Sequence, residues 1–170
     1  MAELWDIYDK DRNKTGRFAV RGEYMLKDGE YHIVVTAVIL NSKNEILITQ
    51  RAPFKTYPLM WECNGGSIIA GETSLQGVIR EVKEEVGVEF QENEATLLKT
   101  LERTKVPLNF KDVWVFRKDI KDDEITLPDG EAIAFKWVSI DVFEEMFANN
   151  EIVPTVDFNK EDWENAIKLI

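Results

Sequence analysis

Three glutamates, Glu81, Glu84 and Glu85, lie at helical spacing in the segment REVKEEVG, residues 80–87. Like charges three or four residues apart destabilise an isolated helix by roughly 0.2–0.5 kcal/mol per pair. A divalent cation such as Mg²⁺ or Mn²⁺ would remove that cost, because such ions take carboxylate oxygens as ligands. The spacing therefore has two interpretations: a metal site, or the solvated surface that a glutamate-rich helix usually presents.

A glycine-rich segment, WECNGGSIIAGETS, leads directly into these acids. Glycine allows the backbone to approach a phosphate group closely, and the N-terminus of a helix favours an anion. The carboxylates also lie beside an apolar stripe, where a solvated face would carry mixed charges. These two features favour the metal site over the solvated surface.

The residues around the acids predict a helix with well-marked ends. Thr73 or Ser74 can cap its N-terminus, Gln76 can complete a capping box with Thr73, and Gly87 suits the position after the last turn. At about 100° per residue, five apolar side chains share the face beside the acids: Leu75, Val78, Ile79, Val82 and Val86. We expect that face to pack in the core.

Strand-forming segments precede and follow this helix. LWDIY and RFAV predict a β-hairpin extension within residues 1–30, and HIVVTAVIL and EILITQR predict a central hairpin. After the helix come three predicted strands, ATLLKTLERTKV, FKDVWVFRK and EAIAFKWVSI, and two predicted helices, SIDVFEEMFANN and NKEDWENAIKLI. This order predicts an α/β (α+β) sandwich with a mixed β-sheet, in a single domain over residues 1–170.

Composition excludes several classes of protein. The net charge of −11 argues against a nucleic-acid polymer as partner, because Lys and Arg drive such binding. No apolar run is long enough to span a membrane and the first residues do not resemble an export signal, so we expect a cytoplasmic protein without membrane contact. With one histidine and one cysteine, a zinc site of the Cys/His type cannot form, and any ion must be held by oxygen.

Residues 66–88 resemble the signature of the Nudix hydrolase family. That signature is a glycine, five residues, a glutamate, seven residues, Arg-Glu, an aliphatic residue, any residue, Glu-Glu, any residue, a glycine and an aliphatic residue. Every fixed position is met: Gly66, Glu72, Arg80, Glu81, Val82, Glu84, Glu85, Gly87 and Val88. The resemblance implies a Nudix-type α/β/α sandwich. It also implies metal-dependent cleavage, by water, of the diphosphate linkage of a small molecule such as a nucleoside diphosphate derivative.

The resemblance also implies roles for individual residues. Glu81, Glu84 and Glu85 would bind Mg²⁺ or Mn²⁺, with the Gly65 carbonyl as an additional ligand. Arg80 would orient a glutamate of this group, so that Arg80, Glu81 and Glu84 serve catalysis. Some members take a further acid from a distant loop; Glu131 is the candidate here, in competition with four other loop acids that are otherwise solvated: Asp122, Asp123, Glu124 and Asp129.

Other residues near the signature have both functional and structural interpretations. Glu72 lies at the start of the helix, and we expect it to accept backbone N–H groups there rather than to act in catalysis. Arg51 can grip a phosphate bidentately, or it is an ordinary surface arginine. Phe54, Tyr57 and Trp61 can stack on a base, although aromatic residues near a loop more often pack in the core or a lid.

The N-terminal part contains the segments LWDIYDKDRNKTG, RGEY and YHIVVTAVILNSKNEILITQR. These segments look like the isopentenyl-diphosphate isomerase branch of the same superfamily. Those isomerases use a cysteine, a glutamate and a metal held by several histidines and glutamates. Here His32 is the only histidine, Ser67 stands where an isomerase has a histidine, and the acids of REVKEE are complete. We therefore favour an isomerase-like hydrolase, in which Cys63 is a buried filler and His32 is structural.

A third alternative is a module that binds a nucleotide or ADP-ribose without turnover. Such modules usually have a broken signature, so the intact one favours catalysis. The N-terminal hairpin offers strands that can pair with another copy, which makes a homodimer a further prediction.

Overall fold

The computed structural model describes residues 3–104, 108–128, 130–155 and 158–169. Its strands are β1 Leu4–Tyr8, β2 Lys14–Val20, β3 His32–Leu40, β4 Ile46–Arg51, β5 Trp61–Glu62, β6 Asn64–Ser67, β7 Ala95–Arg103, β8 Asn109–Arg117 and β9 Ala132–Val138. Its α-helices are α1 Ser74–Val86, α2 Ile140–Ala148 and α3 Lys160–Lys168. Within these ranges no helix is long and apolar enough to cross a membrane.

The strands form two sheets in the described part of the chain. β1 and β2 pair antiparallel in a sheet of their own, which confirms the predicted N-terminal hairpin. The other strands form a mixed sheet in the order β5-β4-β3-β8-β7, with β6 beside β3 and β9 beside β4. β3 and β8 run parallel, and the remaining pairs are antiparallel. The mixed sheet therefore agrees with the sequence prediction.

The predicted central hairpin holds only at its turn. β3 and β4 pair at Leu40 and Ile46 and then separate. They separate because β6 takes the place beside β3, while β9 pairs with β4 along its length. The prediction of a full hairpin was wrong for a non-local reason, because β6 and β9 both come from later in the chain.

Part of the glycine-rich segment is strand rather than loop. Gly65 pairs with Thr36 in the β3–β6 ladder and has a φ of +150°. A Cβ atom at Gly65 would lie 2.1 Å from the Val35 carbonyl oxygen. Only glycine allows this close approach of the two backbones, which brings the segment against the centre of the sheet.

Two apolar layers enclose the mixed sheet because the side chains of a strand alternate between its faces. On β3, Val35, Ala37 and Ile39 pack toward α1, whereas Val38 and Leu40 pack toward α2 and α3. The helices supply the outer halves of these layers: Val78, Val82 and Val86 from α1, and Phe143, Met146, Trp163 and Ala166 from α2 and α3. The predicted α/β/α sandwich is confirmed.

Candidate active site

Helix α1 begins and ends where the sequence predicts. The Thr73 side chain accepts the Gln76 N–H, the Gln76 side chain accepts the Thr73 N–H, and Gly87 adopts the left-handed conformation with a φ of +73°. With the valines of α1 buried, the neighbouring face carries its glutamates toward β6. The buried valines therefore decide that the acids lie on the face toward β6.

Arg80 is the centre of an ionic network on this face. Its Nε and Nη2 atoms donate to the two Glu72 carboxylate oxygens at 2.7 and 3.0 Å. Its Nη1 atom donates to Glu81 and to Glu84, both at 2.9 Å. Glu72 also accepts the Ile69 N–H at 3.0 Å, as expected for a carboxylate at the start of a helix. Glu72 therefore anchors the arginine that orients the two other acids.

Glu85 turns away from Arg80 toward β6. Its Oε2 atom accepts hydrogen bonds from Asn64 Nδ2 at 3.1 Å and from the Gly65 N–H at 2.9 Å. Burial, reinforced by the charge of Glu62, raises the pKa of Glu85 to about 8 despite these two donors. Burial also raises the pKa of Glu81, although Arg80 opposes the shift. At both carboxylates burial disfavours the charged form and outweighs the neighbouring donors.

Glu62 is an acid of this site that the sequence analysis missed. It lies on β5, and both its oxygens accept hydrogen bonds from Arg51 Nη1, at 2.7 and 2.6 Å. Burial raises the pKa of Glu62, with the Arg51 charge acting against the shift. The one available signal was a charged residue between Trp61 and Cys63, immediately before the glycines.

Glu131 immediately precedes β9. Its carboxylate forms an ion pair with Lys55, and its side chain is 47% exposed. Glu131 also faces the same cavity as the acids of α1. Of its predicted competitors, Asp122, Asp123 and Glu124 form a 3₁₀ turn that does not line the cavity, and Asp129 lies outside the described residues.

The acids share one cavity of about 560 Å³. Six glutamates line it in the described part of the chain: Glu3, Glu62, Glu81, Glu84, Glu85 and Glu131. Gly65 lines it as well. The structure therefore brings together the acids predicted from the helix and from the distant loop.

Five cationic side chains also line the cavity in the described part of the chain: Arg21, Arg51, Lys55, Arg103 and Lys111. Arg21, from the end of the N-terminal hairpin, pairs with Glu3 at 2.6 Å, and Arg51 pairs with Glu62. The Arg51 Nε atom also donates to the Thr56 carbonyl at 2.6 Å, so several of its donors are already used. Arg103 of β7 is half-buried, and its guanidinium has no partner among the described residues.

The predicted aromatic contacts lie outside the cavity wall. The Phe54 side chain is 74% exposed, on the loop after β4. Trp61 is half-buried beneath Lys136, whose Nζ atom lies 4.2 Å from the ring centre. Tyr57 does not line the cavity either, and no aromatic side chain of the described ranges does.

Cys63 and His32 are both buried, but they differ in their relation to the cavity. Cys63 lines the cavity next to Glu62, is only 6% exposed, and has a thiol whose pKa burial raises to about 12. The His32 ring stacks on Trp5 with 4.5 Å between ring centres, and burial lowers the pKa of His32 to about 4. His32 does not line the cavity.

The acids supply oxygen ligands for a divalent cation, but their side chains do not converge on one point in this structure. Across the described ranges, no three His, Cys, Asp or Glu side chains are grouped closely enough to hold one ion. Glu81 and Glu84 turn to Arg80, whereas Glu85 turns to β6. The raised pKa values of Glu81 and Glu85 nonetheless show that burial disfavours their ionised forms, which a bound cation would favour, and carboxylate oxygens match Mg²⁺ or Mn²⁺.

Comparisons with known proteins show the family to which the chain belongs. The family model described as NUDIX domain matches residues 30–156. An uncharacterized Nudix hydrolase of Listeria monocytogenes is 32% identical over 164 residues, which cover 93% of this chain and 92% of that protein. The isopentenyl-diphosphate Delta-isomerase of Corynebacterium diphtheriae is 31% identical over 145 residues, covering 80% of this chain and 78% of that protein.

A solved structure extends the likeness to the whole fold. The crystal structure of a Deinococcus radiodurans protein superposes with a TM-score of 0.73 at 21% identity, and the match covers 98% of both chains. At this identity the likeness concerns the fold alone. It includes the N-terminal hairpin, since nearly all of both chains is matched.

Proposed function

Because this chain belongs to the Nudix family of hydrolases, and is therefore a pyrophosphohydrolase, we propose that it uses Mg²⁺ or Mn²⁺ to cleave a nucleoside diphosphate derivative or a similar small diphosphate. The observation that carries the proposal is the gathering of Glu62, Glu81 and Glu85 in one cavity, each with a raised pKa. Such a set is costly unless a cation or a cationic ligand joins it.

Glu81, Glu84, Glu85 and the Gly65 carbonyl are the groups that would hold the cation. When bound, it would neutralise phosphate charge and lower the pKa of the attacking water. Arg80 contributes by keeping Glu81 and Glu84 side by side through its anchor on Glu72. The Arg80 contacts therefore hold Glu81 and Glu84 in position before a substrate binds.

Glu131 would accept the proton of the attacking water at its carboxylate. It lines the same cavity as the acids of α1, and its ion pair with Lys55 holds its side chain. A carboxylate that comes within hydrogen-bond reach of the attacking water can act as its general base.

We propose Arg103, in place of the predicted Arg51, as the phosphate contact of the cavity. Arg51 is engaged by Glu62 and Thr56, so it can shape the wall but has few donors left for a ligand. Arg103 has its whole guanidinium available and can form a bidentate contact with a phosphate. Phe54 and Trp61 stay predicted base contacts; Phe54 is near Gly130, next to Glu131.

The proposal is tested with a panel of small diphosphates in the presence of Mg²⁺ or Mn²⁺. We expect release of phosphate or a monophosphate by the wild type and a loss of about 100-fold or more in Glu85→Gln. Glu89→Gln is the matched control, because Glu89 pairs with Lys83 on the exposed side of the same region. No release from any compound, or equal rates for Glu85→Gln and wild type, would contradict the proposal.

Isomerase activity is the second candidate, and the similarity to the Corynebacterium enzyme favours testing it. Against it, a metal site with several histidines cannot form around the single, buried His32. Incubation with isopentenyl diphosphate should leave it unchanged, and formation of the dimethylallyl product would reverse this ranking. Binding of ADP-ribose by calorimetry without any turnover would instead favour a binding module.

The partners of the protein stay predictions beyond the small-molecule substrate. We propose a homodimer through the N-terminal hairpin, where Phe18 is 56% and Met25 is 83% exposed. Light scattering on the purified protein measures the mass directly, and a monomer at all concentrations would contradict this proposal. We retain a cytoplasmic location, without contact with nucleic-acid polymers or membranes, as the expectation from composition.

A further inference from the structure

The N-terminal hairpin contacts the loop that carries Glu72. β1 and β2 precede the part of the chain that matches the family model, which begins at residue 30. The Ala70 N–H nevertheless donates to the Leu4 carbonyl at 2.7 Å, and the Gly71 N–H donates to Asp6 Oδ2 at 2.9 Å. Two consecutive amides before α1 are therefore held from outside the matched domain.

The other amides of this loop are satisfied from within that domain. The acceptors are the Ile33 carbonyl for Ile68, Glu72 Oε2 for Ile69, the Ile69 carbonyl for Glu72 and Gln76 Oε1 for Thr73. Only residues 70 and 71 depend on the hairpin. Loss of the hairpin contacts would remove two fixed acceptors at the point where the loop turns into the helix, and water at the exposed Gly71 would not hold its amide in one position.

Asp6 is a fixed and ionised acceptor. It is 6% exposed, and the Lys14 ammonium lies 2.7 Å from the same Oδ2 atom that accepts the Gly71 N–H. Burial alone would raise the pKa of Asp6, but the Gly71 N–H and Lys14 outweigh it and the pKa is lowered. Hydrogen bonds to an ionised acceptor are about twice as strong as neutral ones.

A short chain of contacts joins Asp6 to the catalytic acids. Gly71 precedes Glu72, Glu72 holds Arg80 through two hydrogen bonds, and Arg80 holds Glu81 and Glu84. We propose that Asp6 is a positioning residue of the active site, which sets Glu72, and through Arg80 the acids of α1, by fixing the Gly71 amide. This inference rests on the proposed function.

A second contact joins the hairpin to the first turn of α1. Arg12, in the turn between β1 and β2, forms a bidentate ion pair with Asp112, which is 1% exposed. Asp112 also accepts a hydrogen bond from Ser74, the first residue of α1, whose hydroxyl oxygen accepts the Trp114 Nε1–H at 2.9 Å. The hairpin therefore spans both the loop and the start of the helix.

Two variants of Asp6 distinguish a positioning role from an effect on the stability of the fold. Asp6→Ala removes the acceptor of the Gly71 N–H, whereas Asp6→Asn keeps an oxygen acceptor. We expect kcat of Asp6→Ala to fall about tenfold to hundredfold, as for a displacement of the acids by roughly 1 Å. Its KM should be nearly unchanged. In Asp6→Asn, kcat should be largely restored. We also expect tenfold weaker binding of Mn²⁺ by calorimetry, and tenfold faster hydrogen exchange at the amides of Ala70 and Gly71.

Glu30→Gln is the matched control. Glu30 accepts hydrogen bonds from Arg17, Tyr24 and the Lys27 N–H, so its loss weakens the hairpin region without touching the loop before α1. We expect Glu30→Gln to lower thermal stability but to keep kcat and Mn²⁺ affinity within twofold of wild type.

The outcomes distinguish this inference from the proposed function. Unchanged Mn²⁺ affinity and amide exchange in Asp6→Ala, or an equal loss of kcat in Glu30→Gln, would overturn the positioning role. Metal binding and exchange need no substrate. A wild type that hydrolyses no diphosphate would therefore contradict the proposed function, while these two measurements still decide the role of Asp6.

Discussion

Replacing Glu85 with glutamine should stabilise the metal-free protein while abolishing its activity. Glu85 has a pKa of about 8 in the folded protein, against 4.5 for an ordinary glutamate, because it is buried beside Glu62. The folded state therefore binds a proton more tightly than the unfolded state, and the free energy of unfolding falls as the pH rises from about 4.5 to 8. Glutamine has no such proton to lose, and its amide oxygen can still accept the Asn64 and Gly65 N–H groups.

The expected size follows from these two pKa values. At 1.36 kcal/mol per pKa unit, ionisation of Glu85 costs the folded state under about 1 kcal/mol at pH 5 and about 3 kcal/mol at pH 7. These figures are upper bounds, because one side of the carboxylate faces a cavity that water enters. Glu85→Gln should therefore gain stability over wild type mainly above pH 5.

Urea unfolding in EDTA at pH 5 and pH 7 measures this difference. Added Mn²⁺ should then raise the stability of the wild type and have little effect on Glu85→Gln, since a ligand stabilises only the state that binds it. A variant that is no more stable than wild type at pH 7, or whose advantage does not grow between pH 5 and pH 7, would refute the reasoning.

Three further predictions concern the loop, the cavity wall and the core. Gly66→Ala would place a Cβ atom 2.6 Å from the Glu81 carboxylate, and we expect kcat to fall about 100-fold; a kcat within threefold of wild type would contradict this. Arg103→Gln should raise KM about tenfold with little change in kcat, whereas Lys10→Gln, on the exposed hairpin turn, should change neither. The pKa of His32 is lowered to about 4, so protonation below its ordinary value of 6.5 favours the unfolded state. Wild type should therefore lose about 2 kcal/mol relative to His32→Phe between pH 7 and pH 5, measured by urea unfolding.

Local signals made α1 and its acidic face predictable. A capping side chain at Thr73, a glycine at residue 87 and the apolar spacing between them each act within a few residues. The two predicted C-terminal helices are also present, and the side chains of Ser139 and Asn159 accept N–H groups at their first turns. Elements whose ends depend on neighbouring residues could therefore be placed from the sequence.

Features that depend on distant strands could not be predicted in this way. β6 contains two glycines and has little strand propensity of its own, and it forms because β3 offers an open edge. Glu62 belongs to the site because β5 pairs with β4, and Arg51 is engaged because that pairing brings it to Glu62. Whether the Arg103 guanidinium forms an ion pair likewise depends on the fold, because no acid lies near it in the sequence except Glu102.

The separation of β3 from β4 places the acids on two different arms of the sheet. Glu62 and Glu131 belong to the arm built on β4, whereas Gly65 belongs to the arm built on β3, against which α1 packs. Residues 62–65 join the two arms beside the site, because Glu62 ends β5 and Gly65 lies in β6 three residues later. The Asn64 side chain also donates to Thr49 of β4, so this short connection ties the spacing between the two groups of acids to residues that never contact a reacting atom.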